Sequence, residues 1–287
     1  MLNPNSHNLA TDASRRIETR ALSAQLAAGI AITEPVAVIV AHPDDETLGL
    51  GARLDKLHDW RLIHLSDGAP RDMRDAARAG FSERCEYAHA RRRELDAALR
   101  VLGAKPRSLR AYGCADQEVS AHLLSLIQQF SDDLGDVSAV ITHAYEHGHP
   151  DHDAAAFCVH AACALRRRRC LHVPQIIEFA GYHLRNEDAV FGQFWSDPRQ
   201  IEHTANLTRA ESERKRRALA CFGSQRDFLA NFPTERERYR PAPAYDFTRR
   251  APPGSAFYDR LDFQIGTAIW HTRAAAAMSE FELRGTF

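Results

Sequence analysis

Two short segments of the sequence combine imidazoles and carboxylates at a spacing suited to metal chemistry. Residues 41–47 read Ala-His-Pro-Asp-Asp-Glu-Thr, and residues 142–152 contain four histidines and two acidic residues. Neutral imidazole and carboxylate are common zinc ligands, and a set of three protein ligands leaves a fourth position open for water or substrate. An open position is typical of a catalytic zinc site. The two segments therefore predict a catalytic metal site, provided that the fold brings them together.

Each segment follows an apolar run that predicts a buried strand. Residues 36–41 and 137–142 are rich in β-branched residues, as in strands buried on both faces of a parallel sheet. Further strands are expected at 61–66, 108–112 and 174–179, and helices at 47–58, 82–102, 118–130 and 151–168. This alternation predicts an α/β fold: a Rossmann-like open, mostly parallel sheet with helices on both faces, in three layers. Ligands bind such folds at the carboxyl ends of the strands, where both segments begin.

The chain outside this core divides into two further parts. Residues 1–30 are expected to form an N-terminal lead-in and helix, and residues 31–185 the Rossmann-like catalytic core. Residues 186–287 are expected to form a C-terminal extension that completes the domain and shapes the substrate pocket. Within it, helices are expected at 210–229 and 258–280, with a proline-rich loop at 232–255.

The bulk composition narrows the possible partners and location. The chain has 287 residues, of which 44% are hydrophobic and 26% charged, and its formal net charge is −1. A near-neutral charge gives no bulk electrostatic reason to expect nucleic acid or a membrane surface as a partner. The sequence contains no apolar run of about 18 residues, so no transmembrane segment is expected. With its polar start and six irregularly spaced cysteines, it is expected to be cytoplasmic with reduced thiols.

Each segment by itself also has a simpler interpretation. Asp44 and Asp45 could cap the helix that follows them, because acidic residues are favoured in the first turn. His149 and His152, three residues apart, could be surface residues on one face of a helix. The occurrence of both segments, each at the end of a predicted strand, favours the metal site.

The motifs resemble those of a known family. AHPDDE at 41–46 and GHPDH at 148–152 resemble the two signatures of the PIG-L/LmbE family of zinc-dependent N-deacetylases. Residues 91–103 and 215–225 resemble two further segments of that family. The resemblance extends over about residues 36–230 and is most specific in the two metal motifs.

The resemblance implies a role for several residues. It makes His42, Asp45 and His152 the ligands of a Zn²⁺ ion and Asp44 the general base. It makes His149 the residue that stabilises the oxyanion or protonates the leaving amine. Asp151 would be a supporting carboxylate that orients one of the imidazoles.

The residues expected to contact substrate are less specific. Arg91 matches an arginine that contacts substrate hydroxyls in the family, and His147 is a candidate pocket residue. Asp67 and Asp116 each follow a predicted strand. Asp67 could contact substrate or form an Asp-Gly turn, and Asp116 could bind a sugar hydroxyl or cap a helix. His143 is expected to support the site rather than to be a fourth ligand.

The family's substrates are small molecules, glycolipids or antibiotic glycosides that contain N-acetylglucosamine. The resemblance therefore implies hydrolysis of an N-acetyl sugar to an amino sugar and acetate, on a small-molecule or glycoconjugate substrate. The main alternative is a zinc hydrolase of another N-acyl amide, including one with a longer acyl chain, or of an ester. A dinucleotide-binding protein is disfavoured because the first strand runs into HPDDE and not into G-x-G-x-x-G. Iron or cobalt could occupy a site of this ligand type, and an oligomer is possible.

Overall fold

The computed structural model describes residues 21–250, 254–261 and 263–287. Most of the predicted N-terminal lead-in, residues 1–20, lies outside these ranges. Residues 21–28 form helix α1, and Gly29 follows it with a φ of 69°, the left-handed conformation that ends many helices.

Among the described residues, nine strands follow α1. They are β1 (Val36–Val40), β2 (Trp60–Ser66), β3 (Ser108–Cys114), β4 (Ala139–His143), β5 (Gln175–Phe179), β6 (Tyr182–Arg185), β7 (Asp188–Phe191), β8 (His203–Asn206) and β9 (Arg236–Pro241). Seven of them form a central sheet in the order β3-β2-β1-β4-β5-β9-β8, and β6 and β7 form a separate two-stranded sheet. Strands β1 to β5 pair in parallel, whereas β9 and β8 pair antiparallel. The predicted Rossmann-like, mostly parallel α/β fold is thus confirmed.

The helices that follow α1 are α2 (Asp45–Leu50), α3 (Arg74–Arg78), α4 (Arg84–Leu102), α5 (Leu123–Asp133), α6 (Pro150–Arg168), α7 (Arg209–Leu219), α8 (Arg226–Leu229) and α9 (Thr267–Glu280). Helices predicted at 47–58, 210–229 and 258–280 are shorter or interrupted. The chain after α7 is held by a tertiary contact. Glu94 on α4 accepts hydrogen bonds from the backbone N and the Oγ of Ser224, at 2.9 and 2.6 Å. In the part of the chain that the structure describes, the helices lack the length and apolar content needed to span a bilayer.

The sheet has a hydrophobic core on each face. Side chains of β1 alternate between the two cores: Ile39 packs on one face with Phe157 of α6, and Val38 on the other with Leu95 of α4. The C-terminal extension contributes to both cores, through Trp270 on one side and Tyr239 and Phe222 on the other. The boundaries predicted at residues 30 and 185 stay predictions.

The strand order changes direction between β1 and β4. From β1 the chain first adds β2 and β3 on one side, and then β4 and β5 on the other. The two strands are direct neighbours, with Val36, Ala37 and Val38 paired to Ala139, Val140 and Ile141. The segments after these strands therefore open on the same edge of the sheet, at the switch point where such folds bind ligands.

A buried ion pair fixes the helix that follows the first motif. Lys215 Nζ of α7 donates to Glu237 Oε1 of β9 at 2.7 Å and to the carbonyl of Leu48 in α2 at 2.6 Å. The same Glu237 oxygen accepts from the amide of Ala52, just after α2, at 2.9 Å. Both charged side chains are almost completely buried. This contact joins the C-terminal extension to the end of α2 that is remote from the motif.

Replacing Lys215 by Met removes the cation and leaves the Glu237 carboxylate buried. We expect the free energy of unfolding to fall by about 3–5 kcal/mol, the usual cost of breaking a buried pair on one side. The matched control is Arg216→Met on the same helix, because Arg216 is half-exposed and its pair with Glu213 should be worth about 0–1 kcal/mol. Urea unfolding measures both variants, and equal losses would contradict the role given to Lys215.

Candidate metal centre

Four buried side chains from the two motifs meet at the switch point. The loop between β1 and α2 supplies His42, and Asp45 begins α2. The N-terminal end of α6 supplies His149, its N-cap residue, and His152 in its first turn. All four side chains are less than 9% exposed. The fold thus brings the predicted metal ligands and the predicted oxyanion residue to one place.

Asp45 contacts histidines through both carboxylate oxygens. Its Oδ2 lies 3.3 Å from His42 Nδ1, and its Oδ1 lies 3.2 Å from His152 Nε2. Burial would raise the pKa of Asp45, but His152 and His143 beside it hold that pKa well below its usual value. Asp45 is therefore an anion in the interior, as a metal-binding carboxylate must be.

Among the described residues, three overlapping groups have donor atoms within 4.8 Å of one another. They are His42 with His149 and His152; Asp45 with His143 and His152; and His42 with Asp116, His149 and Asp151. The predicted ligands His42 and Asp45 fall in different groups that share His152. Imidazoles and carboxylates in this buried setting fit a divalent metal ion by the chemistry of their donors.

Asp44 lies beside this cluster in a strained backbone conformation with a φ of 146°. Its carboxylate accepts a hydrogen bond from Arg91 Nη2 at 2.8 Å, and the same guanidinium donates to the carbonyls of Pro43 and Gly68. Burial raises the pKa of Asp44 to about 8, even though Arg91 acts to lower it. Asp44 is thus a carboxyl group that is held in one orientation and whose affinity for a proton is raised by burial.

A second buried carboxylate supports the backbone of Asp44. Glu46 Oε2 accepts from the amide of Asp44 at 3.2 Å and lies 3.0 Å from Nε2 of His64, a buried residue of β2. Glu46 is completely buried. It therefore stabilises the turn in which Asp44 has its positive φ.

The hydrogen bond at the start of α6 determines the tautomer of His149. Its Nδ1 accepts from the amide of Asp151 at 3.1 Å, so the proton of the neutral ring must be on Nε2. Burial, reinforced by His42 nearby, lowers the pKa of His149 well below its usual value. The residue is therefore a neutral imidazole whose Nε2–H can donate. That nitrogen lies 3.5 Å from Asp116 Oδ1.

Asp151 is fully buried between two segments of the site. Its oxygens accept from the amides of Gln117 and Val119 at 2.7 and 3.1 Å, and Oδ2 lies 3.3 Å from His42 Nε2. The carboxylate therefore ties the loop after β3 to the ring of His42. Such a contact fixes the orientation of an imidazole.

His143, the last residue of β4, contacts both the end of β1 and the cluster. Its Nε2 accepts from the amide of Ala41 at 3.1 Å, and its ring stacks on His152 with centroids 3.9 Å apart. Burial lowers the pKa of His143 to about 4, so the ring is neutral.

A cavity of about 610 Å³ opens over the cluster. Of the residues predicted to contact substrate, Arg91 and Asp116 line it. Asp67 instead binds Arg84 Nη2 through both of its oxygens, and His147 Nδ1 lies 2.7 Å from Asp153 Oδ2; neither lines the cavity. Their roles as substrate contacts stay predictions.

Several lining residues escaped the sequence reasoning because they lie far from the motifs in the chain. They are Asp72, Asp75 and Arg78 near α3, Tyr182 of β6, Phe228 of α8, and Phe257, Leu261 and Phe263 before α9. The resemblance around residues 215–225 and the expectation that residues 186–287 shape the pocket pointed to this region without identifying its residues.

Comparison with known proteins agrees with this geometry. A family model described as PIG-L, GlcNAc-PI de-N-acetylase, matches residues 37–163, a segment that contains both motifs. This segment belongs to the PIG-L family. The family predicted from the motifs is thereby confirmed.

Solved structures with the same fold include deacetylases. The antimicrobial reagent A40926 pseudoaglycone deacetylase Dbv21 is 19% identical, with a TM-score of 0.52 over 73% of this chain and 97% of that one. A deacetylase–teicoplanin complex from the biosynthesis pathway of teicoplanin is 18% identical, with a TM-score of 0.51 over 72% and 97% of the two chains. At these identities the likeness concerns the fold. No curated protein matches the chain at a significant level.

Gly148 permits the close approach of the second motif to β6. A Cβ at this position would lie 2.1 Å from the carbonyl oxygen of Tyr182, which is backbone and cannot move aside. We expect Gly148→Ala to lower the free energy of unfolding by at least about 1–3 kcal/mol, the usual cost of overpacking. The control is Gly181→Ala, since nothing lies within 4 Å of a Cβ there. Thermal unfolding compares the two, and a loss for Gly181→Ala as large as that for Gly148→Ala would refute the steric argument.

Proposed function

We propose that the protein is a zinc-dependent N-deacetylase that hydrolyses an N-acetyl amino sugar to the free amine and acetate. One observation carries this proposal: Asp44, oriented by Arg91, lies directly beside a buried carboxylate–imidazole cluster at the switch point of the sheet. A base next to a group of metal donors is the arrangement that hydrolysis by an activated water requires. Membership of the matched segment in the PIG-L family supports the same conclusion.

His42, Asp45 and His152 would hold the metal ion. Their N and O donors suit zinc, and three protein ligands leave an open position. When bound, zinc supplies Lewis acidity to a carbonyl and lowers the pKa of a water to about 7. Asp151 keeps His42 in orientation, and the ring of His143 stacks on that of His152.

Asp44 accepts the proton of the attacking water. Arg91 prevents the carboxyl group from rotating away, because it holds Asp44 Oδ2 while it is itself bound to two backbone carbonyls. Amide cleavage then requires a proton on the departing nitrogen, since an amide anion leaves very badly. We assign this proton to Asp44, which has just received one.

His149 stabilises the negative charge that develops on the carbonyl oxygen. Its Nδ1 is occupied by the amide of Asp151, so Nε2–H is the donor that remains for the oxygen. A donor fixed in advance in a buried site contributes strongly to such stabilisation. The tautomer therefore supports a role for His149 as a neutral hydrogen-bond donor and not as a protonated imidazolium.

The polar residues of the cavity would bind the amino sugar. Asp75, Asp116 and Gln117 line it together with Asp44 and offer acceptors and donors to hydroxyl groups. The substrate would be a small molecule or a glycoconjugate.

We also propose a cytoplasmic location, supported by six cysteines that all carry free thiols.

Asp44→Asn should retain the metal and lose the reaction. Removal of a general base typically costs about 10²–10⁴-fold in rate, and the Asn side chain can still accept from Arg91. Acetate release from N-acetylglucosamine derivatives gives kcat, and elemental analysis gives the metal content. The control is Asp96→Asn, an exposed carboxylate on α4 that pairs with Arg92. A metal-loaded Asp44→Asn protein with wild-type kcat would refute the mechanism.

His152→Ala should lose both the metal and the activity. His152 belongs to two of the three donor groups and lies 3.2 Å from Asp45. After both proteins are dialysed against the same concentration of chelator, we expect the variant to retain less than one-tenth of the zinc that the wild type retains. Circular dichroism checks that the variant is folded. If the wild-type protein retains no divalent metal under any condition, the proposed function is wrong as a whole.

A further inference from the structure

The cavity over the candidate metal centre is lined by two chemically different sets of residues. One set is polar and includes Asp75, Asp116 and Gln117. The other set consists of Tyr182, Phe228, Phe257, Leu261 and Phe263, which we call the aromatic wall. An apolar surface of this extent can bury a hydrocarbon chain.

The aromatic wall begins at the two histidines nearest to the chemistry. Phe263 lies edge-on to the ring of His149, with centroids 5.2 Å apart, and Tyr182 lies edge-on to His152 at 5.4 Å. In the proposed function these imidazoles are the oxyanion donor and a metal ligand. The apolar surface therefore starts at the position of the amide carbonyl.

The position of Asp44 decides which part of the substrate meets the wall. The departing nitrogen must face Asp44, because that residue returns its proton. Asp44 is held by Arg91, and both line the cavity together with Asp116. The amine therefore lies among these polar residues. The aromatic wall then remains for the third substituent of the carbonyl carbon, which is the acyl chain.

Around Tyr182 the wall is a packed surface rather than a group of loose side chains. Tyr182 is buried and contacts the rings of Phe228 and Phe257 at 5.2 and 5.3 Å, and those of Phe191 and Phe232 at 5.8 and 5.9 Å. The amide of Phe257 donates to the carbonyl of His147, which anchors this segment to the loop after β4. A preformed apolar surface can bind a chain without first being ordered.

Within the wall, Leu261 is 38% exposed. A chain bound along the wall can therefore reach solvent at this residue. We propose that this enzyme prefers N-acyl amines whose acyl group is an unbranched hydrocarbon chain longer than acetyl, bound along the aromatic wall. The inference rests on the proposed function and names the acyl class for the same site.

A series of acyl chains on one amine tests the inference. The zinc-loaded full chain is assayed by release of glucosamine from N-acetyl-, N-butanoyl-, N-hexanoyl- and N-octanoylglucosamine. Burial of each methylene should raise kcat/KM by about fourfold, the factor that corresponds to about 0.8 kcal/mol. The rise should stop once the chain passes Leu261. A kcat/KM that is highest for the acetyl compound, or independent of chain length, would overturn the inference and leave the proposed deacetylation standing.

A second series excludes an apolar group attached to the sugar as the occupant. Methyl and octyl glycosides of N-acetylglucosamine carry the same acyl group and differ only on the amine side. We expect similar kcat/KM values for the two. A large gain for the octyl glycoside, without a gain along the acyl series, would mean that the wall binds the amine side and would overturn the inference.

Two matched variants connect the preference to the wall. Leu261→Ser should reduce the gain from the longest acyl chains and affect the acetyl compound least, because the acetyl group buries the least apolar surface along the wall. The control is Ile269→Ser on α9, which is 45% exposed and lies outside the cavity, and which should keep the wild-type dependence on chain length. If Leu261→Ser leaves that dependence unchanged, the path along the wall is wrong. If the zinc-loaded wild type releases no amine from any compound, the proposed function fails as well.

Discussion

The parallel pairing of β1 with β4 is the constraint on which the rest of the structure depends. These strands are adjacent in the sheet although about a hundred residues separate them in the chain, and the strand order reverses between them. The segments that leave them cannot cover each other's strand ends, so a crevice remains at the carboxyl edge. His42 and Asp45 enter the crevice from one strand and His149 and His152 from the other. A shift of one residue in this register would turn the alternating side chains of β1 to the wrong core and displace the first motif.

So many polar groups at a buried edge are costly, and the structure offsets the cost by pairing. Asp44 is bound by Arg91, Glu46 lies against His64, and Asp151 accepts from two backbone amides. Loops at this edge also contain non-glycine residues with positive φ, among them Asp44 and Gln117. Strain of this kind persists only where the surrounding structure imposes it. The two cores and the buried Lys215–Glu237 pair supply that surrounding rigidity.

The C-terminal extension has two effects on the site. It completes the sheet through β8 and β9. Its residues Lys215 and Glu237 also hold the end of α2 that is remote from the first motif. It also supplies the aromatic wall, with Phe228, Phe257 and Phe263. The groups proposed for acid–base chemistry thus come from the two motifs of the core, whereas the surface proposed to select an acyl chain comes largely from the extension. A single metal chemistry can in this way be combined with a different substrate preference.

The sequence alone determined the parallel core and the identity of the chemical groups. Continuous β-branched runs such as 36–40 are typical of strands in a sheet covered on both faces, and AHPDDE and GHPDH, each after such a run, supply imidazoles and carboxylates suited to a metal. Sequence reasoning missed β9, because the charged stretch Arg236–Pro241 has no strand-like apolar alternation and is held by its pairing with β5. The tautomer of His149, the support of Asp44 by Arg91 and the separation of Asp67 from the cavity were likewise decided by tertiary contacts. Local patterns record which groups a segment carries and how it is buried. Which groups from distant segments meet depends on packing, and packing is a property of the whole fold.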